Sequence, residues 1–355
     1  MRPVLTVLTL CGLLFMAAAA ARDMTVEQEI RRAFEDGMLY GLHGVLVLHN
    51  GKAAAEVYFQ GDDERWSAPL PDRQHGPETL HDLRSVTKSI VGLLYGIALA
   101  EGIVPGLDES LVAQFPQYAD LAADAHRQAI TMRDVLTMQM GLEWNEELPY
   151  LDRRNSEIAM ELAGDRYRYV LEQPVMAEPG TSWRYSGGAS ALLGGLIARG
   201  SGKPLSAYAQ EKLFEPLGIA DFDWIEGSDG VPSAASGLRL SARGLARIGE
   251  MINKGGLWNG RQIVPKDWLA TTFTRQVELD GFHYGLHWYL ASDGDPPRWM
   301  SGFGNGGQRI TVQPQHDVVI VILAGNYNQP DAWEMPVRLL REYLVPALQE
   351  QVEAQ

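Results

Sequence analysis

The chain has 355 residues, 46% of them hydrophobic and 9 of them tryptophan, enough to bury a large core in one or two lobes and too apolar for a disordered or fibrous protein. Its formal charge of −15, with no basic run, argues against nucleic acid as a partner and bears on solubility rather than fold. The single cysteine, Cys11, lies in the N-terminal apolar segment, so neither disulfides nor cysteine catalysis is expected beyond it.

Arg2, the apolar run Val4 to Met16 and an alanine run ending at Ala21 match a secretory signal peptide over residues 1–21, with cleavage expected near Ala20 or Ala21. Leu10 before Cys11 speaks against a lipoprotein signal, and the run is too short for an ordinary membrane span. The expectation is a periplasmic or secreted protein without a stable membrane anchor after cleavage. Thr25-Val26-Glu27-Gln28 is a capping-box sequence, and Ile30, Ala33 and Phe34 follow at helical spacing before Gly37. Gly44 to Leu48 and Ala53 to Phe59, joined through Asn50-Gly51, read as a β-hairpin. The polar, Pro- and Asp-rich stretch from Gly61 to Thr79 reads as a loop.

From Arg84 to Leu99 apolar residues run almost all the way round a helical wheel, predicting a helix buried on every side. Ser85 and Lys88 stand three residues apart at its first turn, on one face. A serine there is most often a simple N-cap, but a capping box wants Glu or Gln at the third position, and a cation near the positive helix terminus is locally unfavourable. Broken local rules mark functional sites. Desolvation and the helix dipole are expected to lower the Lys88 pKa until it can take a proton from Ser85, whose own N–H can face an oxyanion.

Thr131-Met132-Arg133-Asp134 caps a helix expected to end at Gly141, and Ser190 to Arg199 forms another before Gly200. Ser241 to Asn253 reads as an amphipathic helix and Trp258-Asn259-Gly260 as a tight turn. Gln308–Gln313 and Val318–Ala324 read as an antiparallel pair, and a last helix is expected over 332–349. Strands at both ends and helices between them give an α+β fold: one lobe from 22–80 and 236–355 with an antiparallel sheet and terminal helices, and a mainly helical lobe from 81–235 inserted between, with a site where they meet.

Tyr185, in Pro179-Gly180-Thr181-Ser182-Trp183-Arg184-Tyr185-Ser186-Gly187, stands at a loop-to-helix junction from which it could reach a nucleophile, and a lysine ammonium beside it would ease its ionisation. Taken alone, such a tyrosine is more often a packed aromatic. Together, Ser85-Val86-Thr87-Lys88, the Leu-Thr-x-x-x-Gly-Leu pattern ending at Leu142, Tyr185-Ser186-Gly187, Gly237-Leu238 and Gly306-Gly307-Gln308 resemble the serine β-lactamase-related family. This is the group of class C β-lactamases, DD-peptidases and esterases, and the branch most resembled contains 6-aminohexanoate-dimer hydrolase.

The resemblance implies a β-lactamase/transpeptidase-like fold, Ser85 as acylated nucleophile, Lys88 as its proton acceptor and Tyr185 as general acid/base, with no cofactor. It implies an oxyanion hole from the backbone N–H of Ser85 and a second from the sheet edge, the third motif being aligned on Gly302-Phe303-Gly304 with Asn305 as second donor. Two departures stand out. Gly187 occupies the place where the family's Tyr-x-Asn motif carries Asn, and Gly302 supplies no cation where the third motif normally begins with Lys or His. Both weaken the case for β-lactam or peptidoglycan substrates, whose carboxylate such a cation would hold.

Trp144, Tyr150, Gly187 and Phe303 are candidate pocket-lining residues, with Trp183, Trp288 and Trp299 as further aromatics that are as readily core. His283 and His287 read as strand residues two pleats apart without a second ligand cluster, so no metal site is expected, and the glycines from 302 to 307 lack phosphate-loop spacing. The leading expectation is a serine hydrolase of a small ester or amide. A true β-lactamase or D-amino-acid peptidase, and a non-catalytic binder of cell-wall fragments, are the alternatives, and nothing in the sequence specifies an oligomer.

Overall fold

Asn50 and Gly51 both take positive φ, 52° and 70°, the backbone a two-residue hairpin turn requires. They join Leu42–His49 to Lys52–Tyr58 in the computed structural model, which describes residues 24–353. The expected signal segment, 1–21, lies outside the described residues. Leu42–His49 pairs on its other side with Val318–Ala324, so the chain's two ends meet in one sheet. From edge to edge that eight-stranded antiparallel sheet runs Val277–Leu279, Phe282–Tyr284, Tyr289–Ala291, Met300–Phe303, Arg309–Gln313, Val318–Ala324, Leu42–His49 and Lys52–Tyr58.

The apolar run of Val318–Ala324 follows from burial on both faces. Ile320 and Ile322 pack with Val45, Val47, Ile30 and Leu339, whereas Val319 and Val321 join Leu46 and Ile248 in the larger core. A strand covered on both sides has no place for a polar side chain. One cover is Val26–Glu35, whose Thr25/Gln28 capping box is formed as expected, together with the C-terminal helical segments. The other side carries Ala242–Asn253, N-capped by Ser241.

The central helix is Val86–Ala100, and every residue from Val86 to Ala98 is buried, Lys88 among them. It packs against Gly187–Ser201 and the strand Met300–Phe303. Gly302 is required there. A β-carbon on it would fall 2.9 Å from Ser89 Oγ, closer than real β-carbons approach, so the strand touches the helix only because position 302 has no side chain. Among the described helices none is long and apolar enough to cross a membrane.

The structure departs from several local expectations. Gly61 to Thr79 is not a loop: Gln60–Arg65 and Ala68–Gln74 pair as a ribbon, turned at Trp66 and Ser67 with φ of 47° and 74°. Its strands are charged and carry Pro69 and Pro71, so no apolar alternation announces them. The Thr131-capped helix spans only Met132–Leu136, and the helix expected from Ser190 starts earlier, with Ser186 as N-cap of Gly187–Ser201. The last helix is Glu334–Arg338 continuing through a π-helical stretch, Leu339–Leu344, into Val345–Glu353. His283 is on a strand, but His287 is not: it sits in a turn with φ of 63°.

Candidate active site

Arg84 holds φ of 48° immediately before Ser85, a left-handed conformation that costs a non-glycine residue on the order of 1 kcal/mol. It is held there by Glu64 at 2.7 Å and Asp82 at 3.2 Å, with its guanidinium 4.6 Å from the Tyr327 ring centroid. The bend places Ser85 at the start of the buried helix with its hydroxyl unused for capping. An ordinary N-cap serine would bond the N2 or N3 amide; this one faces Lys88 instead.

Lys88 Nζ donates to Ser85 Oγ at 3.1 Å, to Glu157 Oε2 at 3.2 Å and to the Ala235 carbonyl at 3.0 Å. An ammonium has three protons, and each has an acceptor. The expectation of a lowered Lys88 pKa is therefore overturned. Burial alone would lower it, but the neighbouring acidic groups, the Glu157 carboxylate above all, outweigh burial and raise it, so Lys88 is a cation in this arrangement.

The structure brings Tyr185 beside the pair: its ring centroid is 4.9 Å from Lys88 Nζ, and Lys88 and Ser85 are the neighbours that pull its pKa down. The Tyr185 loop is tied down by Arg184 N–H to the Met138 carbonyl at 2.8 Å. Easier ionisation of Tyr185, expected from the neighbouring lysine, is also overturned. Burial raises its pKa; Lys88 pulls it down and Glu146 pushes it up, and the net shift is upward, so Tyr185 carries its proton at rest.

Two further acids complete the cluster, and sequence reasoning missed both. Glu157 is 1% exposed at its side chain and accepts from Ser236 Oγ at 2.5 Å as well as from Lys88. Glu146 Oε2 lies 3.8 Å from Lys88 Nζ, and the Glu146 carboxylate accepts from Trp144 Nε1 at 2.6 Å and Tyr150 Oη at 3.1 Å. Trp144 and Tyr150 thus act here by holding Glu146; Trp144 itself is buried, packed where the Gly188 β-carbon would be. Glu146 and Glu157 flank the Lys88 ammonium, their oxygens 3.8 and 3.2 Å from Nζ. Burial raises both carboxyls; in Glu157 Lys88 and Ser236 reverse that, whereas in Glu146 burial prevails. Glu157 is accordingly the member of the pair that ionises more easily, and Glu146 keeps its proton to higher pH.

A strand edge closes the site. Gly304 N–H bonds the Gln308 carbonyl, and Ala291 N–H bonds the Trp299 carbonyl. Amides alternate sides along a strand, so the Phe303 N–H points away from Arg309–Gln313, toward the side where Tyr289–Ala291 pairs with Ser301 and then ends. The next residue on that side, His287, has its carbonyl taken by Ser89 Oγ at 2.8 Å. Asn305 lies beyond the strand, its carboxamide bonded to Asn328 at 2.9 Å. Gly304 sits where a β-carbon would strike the Leu83 carbonyl at 2.4 Å. From Tyr185 an aromatic wall runs through Trp183, Tyr284 and Tyr289 to Phe303, with neighbouring centroids 4.6–6.1 Å apart.

The Beta-lactamase family model matches residues 30–340. The chain belongs to that family. It is 27% identical over 342 residues to 6-aminohexanoate-dimer hydrolase of Paenarthrobacter ureafaciens, covering 88% of this chain and 78% of that protein. It is 27% identical over 222 residues to esterase EstB of Burkholderia gladioli, covering 59% of this chain and 54% of that protein. The solved structure of EstCE1, a hydrolase with promiscuous acyltransferase activity, superposes with a TM-score of 0.71 at 17% identity, with 89% of this chain and 96% of that chain covered. The β-lactamase/transpeptidase-like fold and the membership among hydrolases expected from the motifs are both met.

Within the Beta-lactamase family the geometry explains the departure at Gly187. A β-carbon there would stand 2.7 Å from Glu157 Oε2 and 3.1 Å from Glu146 Oε1. The space of an Asn side chain is filled by two carboxylates, and Gly187 N–H itself donates to Glu146. Glu157 reaches that space because Asn155 caps its helix, accepting from Glu157 N–H at 3.0 Å. The signal available in the sequence was the glycine itself, a small residue where a large one is expected. His283 and His287 are not a ligand pair, since His287 bonds Ser190 Oγ at 2.9 Å and the Leu136 carbonyl at 2.8 Å.

Proposed function

We propose that the chain hydrolyses a small ester or amide through an acyl-enzyme on Ser85, with Lys88 and Tyr185 moving its protons. The observation that carries this reading is the Lys88 ammonium bonded to a hydroxyl that caps no helix, with the Tyr185 ring 4.9 Å from the same ammonium.

A lysine with three protons cannot accept a fourth, so one must leave first, and the Glu146–Glu157 pair is the adjacent place for it. The Lys88 amine then takes the Ser85 proton as Oγ attacks the acyl carbon. Tyr185 protonates the departing alcohol or amine, and Lys88 returns a proton to Tyr185. Water then attacks the acyl carbon, giving a proton to Lys88, and Lys88 hands it to the Ser85 oxygen as the acid leaves. Protons balance over the cycle. The oxyanion is received by the N–H groups of Ser85 and Phe303; the sheet register supports Phe303 rather than Asn305 as the second donor. The cleft lies between the helical lobe, 81–235, and the sheet lobe built from 22–80 and 236–355.

The aromatic wall from Tyr185 to Phe303 supports an apolar acyl or leaving group, and the two relatives, one named an esterase and one a 6-aminohexanoate-dimer hydrolase, support a small-molecule hydrolase. One observation favours a second reading. Arg309 lies with its guanidinium 4.6 Å from the Phe303 ring centroid, makes no ion pair among the described residues, and has its pKa lowered to about 10 by burial. Such a cation could hold the carboxylate of a β-lactam or D-amino-acid peptide, the partner that Gly302 cannot supply. Purified protein offered p-nitrophenyl esters, an anilide and a fluorescent penicillin separates the readings. Ester or anilide turnover that is lost in Ser85→Ala supports the first, and a lasting penicillin adduct or penicillin hydrolysis in preference to esters supports the second.

A further inference from the structure

The proposed chemistry leaves one buried cluster of titratable groups unused. His43, His75 and His81 are 2%, 4% and 0% exposed, and one ring nitrogen from each lies within 4.8 Å of the others. They come from separate elements: His43 from Leu42–His49, His75 from just beyond Ala68–Gln74, and His81 from the short strand His81–Asp82. Asp63, also buried, sets Oδ1 3.5 Å from His81 Nε2.

The hydrogen bonds fix which nitrogens are lone pairs. His81 Nδ1 lies 2.9 Å from the Asp82 carbonyl, which can only accept, so Nδ1 bears the proton and Nε2 is bare. That bare nitrogen faces His43 Nδ1 at 2.9 Å, so one proton shared between the two rings satisfies that pair. It leaves His75, whose Nε2 is buried without a partner. A metal ion in place of that proton answers for all three.

We propose that His43, His75, His81 and Asp63 bind one divalent transition metal, Zn2+ by donor set, and that the ion pins the N-terminal hairpin to the strand that leads into the nucleophile helix. Three imidazoles and a carboxylate suit four-coordinate Zn2+, whose ligands at about 2.0–2.1 Å stand roughly 3.3 Å apart. The His81–Asp63 spacing already meets that, and the His43–His81 spacing meets it after opening by a few tenths of an ångström. Outer partners are also in place. His81 gives its Nδ1–H to the Asp82 carbonyl at 2.9 Å, while Tyr327 Oη donates to Asp63 Oδ1 at 2.8 Å and Arg73 Nη1 lies 3.4 Å from Asp63 Oδ2. Ligands oriented by carbonyls and hydroxyls in this way are characteristic of metal sites. The sequence reading named no metal ligand because these residues share no short motif.

Tag-free protein, stripped with chelator, is titrated with Zn2+ by calorimetry and with Co2+ by visible absorption. One equivalent of each is expected to bind, with the ligand-field bands of four-coordinate Co2+ and a rise in Tm. His75→Gln should weaken binding by more than the roughly 10–100-fold that loss of an outer partner costs, whereas His283→Gln should bind as the wild type does. The proposal is overturned if the wild-type protein takes up neither ion, or if His75→Gln binds Zn2+ as tightly as the wild type. The wild-type titration decides the matter even if His75→Gln does not fold.

Discussion

The side chain of Glu157 occupies the space above Gly187 that a family asparagine would fill, its Oε2 2.7 Å from where the Gly187 β-carbon would be. The two positions therefore depend on each other. Gly187→Asn is expected to displace Glu157 from Lys88 and lower kcat/KM for a p-nitrophenyl ester by an order of magnitude or more. Adding Glu157→Ala to Gly187→Asn should recover part of the loss, because the carboxamide then has room and an amide oxygen can accept from Lys88. Steady-state kinetics on the two single variants and the double variant measure the coupling; strictly additive losses would refute the shared space.

Removing the phenol tests the proton path. Tyr185→Phe should leave Lys88 in place and cost roughly 10²–10⁴ in kcat, the range of a general acid/base. Single-turnover kinetics with a good and a poor leaving group should show the larger loss for the poor one, since only it needs the Tyr185 proton.

The oxyanion assignment predicts a contrast between neighbouring residues. Phe303→Pro removes an N–H that the sheet does not use and should lower kcat by about 10²–10³, the worth of one oxyanion donor. Asn305→Ala loses only the two hydrogen bonds to Asn328 and should retain near-wild-type kcat, with circular dichroism confirming that both variants fold.

Stability should depend on pH through two buried groups of opposite sign. His287 is pushed down from its ordinary 6.5 to about 4, first by burial and then by Lys88, against the Leu136 carbonyl that raises it. A depressed folded pKa gives stability that is present above 6.5 and lost as pH falls toward 4, on the order of 3 kcal/mol in full. Glu161, 3.1 Å from Arg166, is raised to about 7 by burial, which outweighs the arginine. Its contribution is present below the ordinary 4.5 and lost as pH rises through about 7. Urea melts across this range should show His287→Gln flattening the acid limb and Glu161→Gln flattening the neutral one.

The parts of the fold that could be read from the chain are those where one local pattern decides the outcome. Asn50-Gly51 dictates its turn, Thr25 and Gln28 their cap, and the apolar run of Val318–Ala324 a doubly covered strand. The ribbon at Gln60–Arg65 was illegible because its strands bury little and alternate nothing. In the site, Ser85, Lys88 and Tyr185 were legible through motif spacing. Glu146, Glu157 and the three histidines were not, because each is brought in by a separate element and only tertiary packing makes them neighbours. The direction of the Lys88 shift followed the same line: the helix terminus is written in the sequence, whereas the carboxylates that outweigh it are supplied by the fold.

The central claim is that Ser85 becomes acylated. Protein quenched in acid during turnover of a slow p-nitrophenyl ester, or after exposure to a fluorophosphonate, is weighed intact and mapped by peptide mass spectrometry. One acyl or phosphonyl group on the peptide carrying Ser85, absent in Ser85→Ala together with turnover, is the result expected. An adduct on another residue, or ester hydrolysis that persists in Ser85→Ala, would contradict the account.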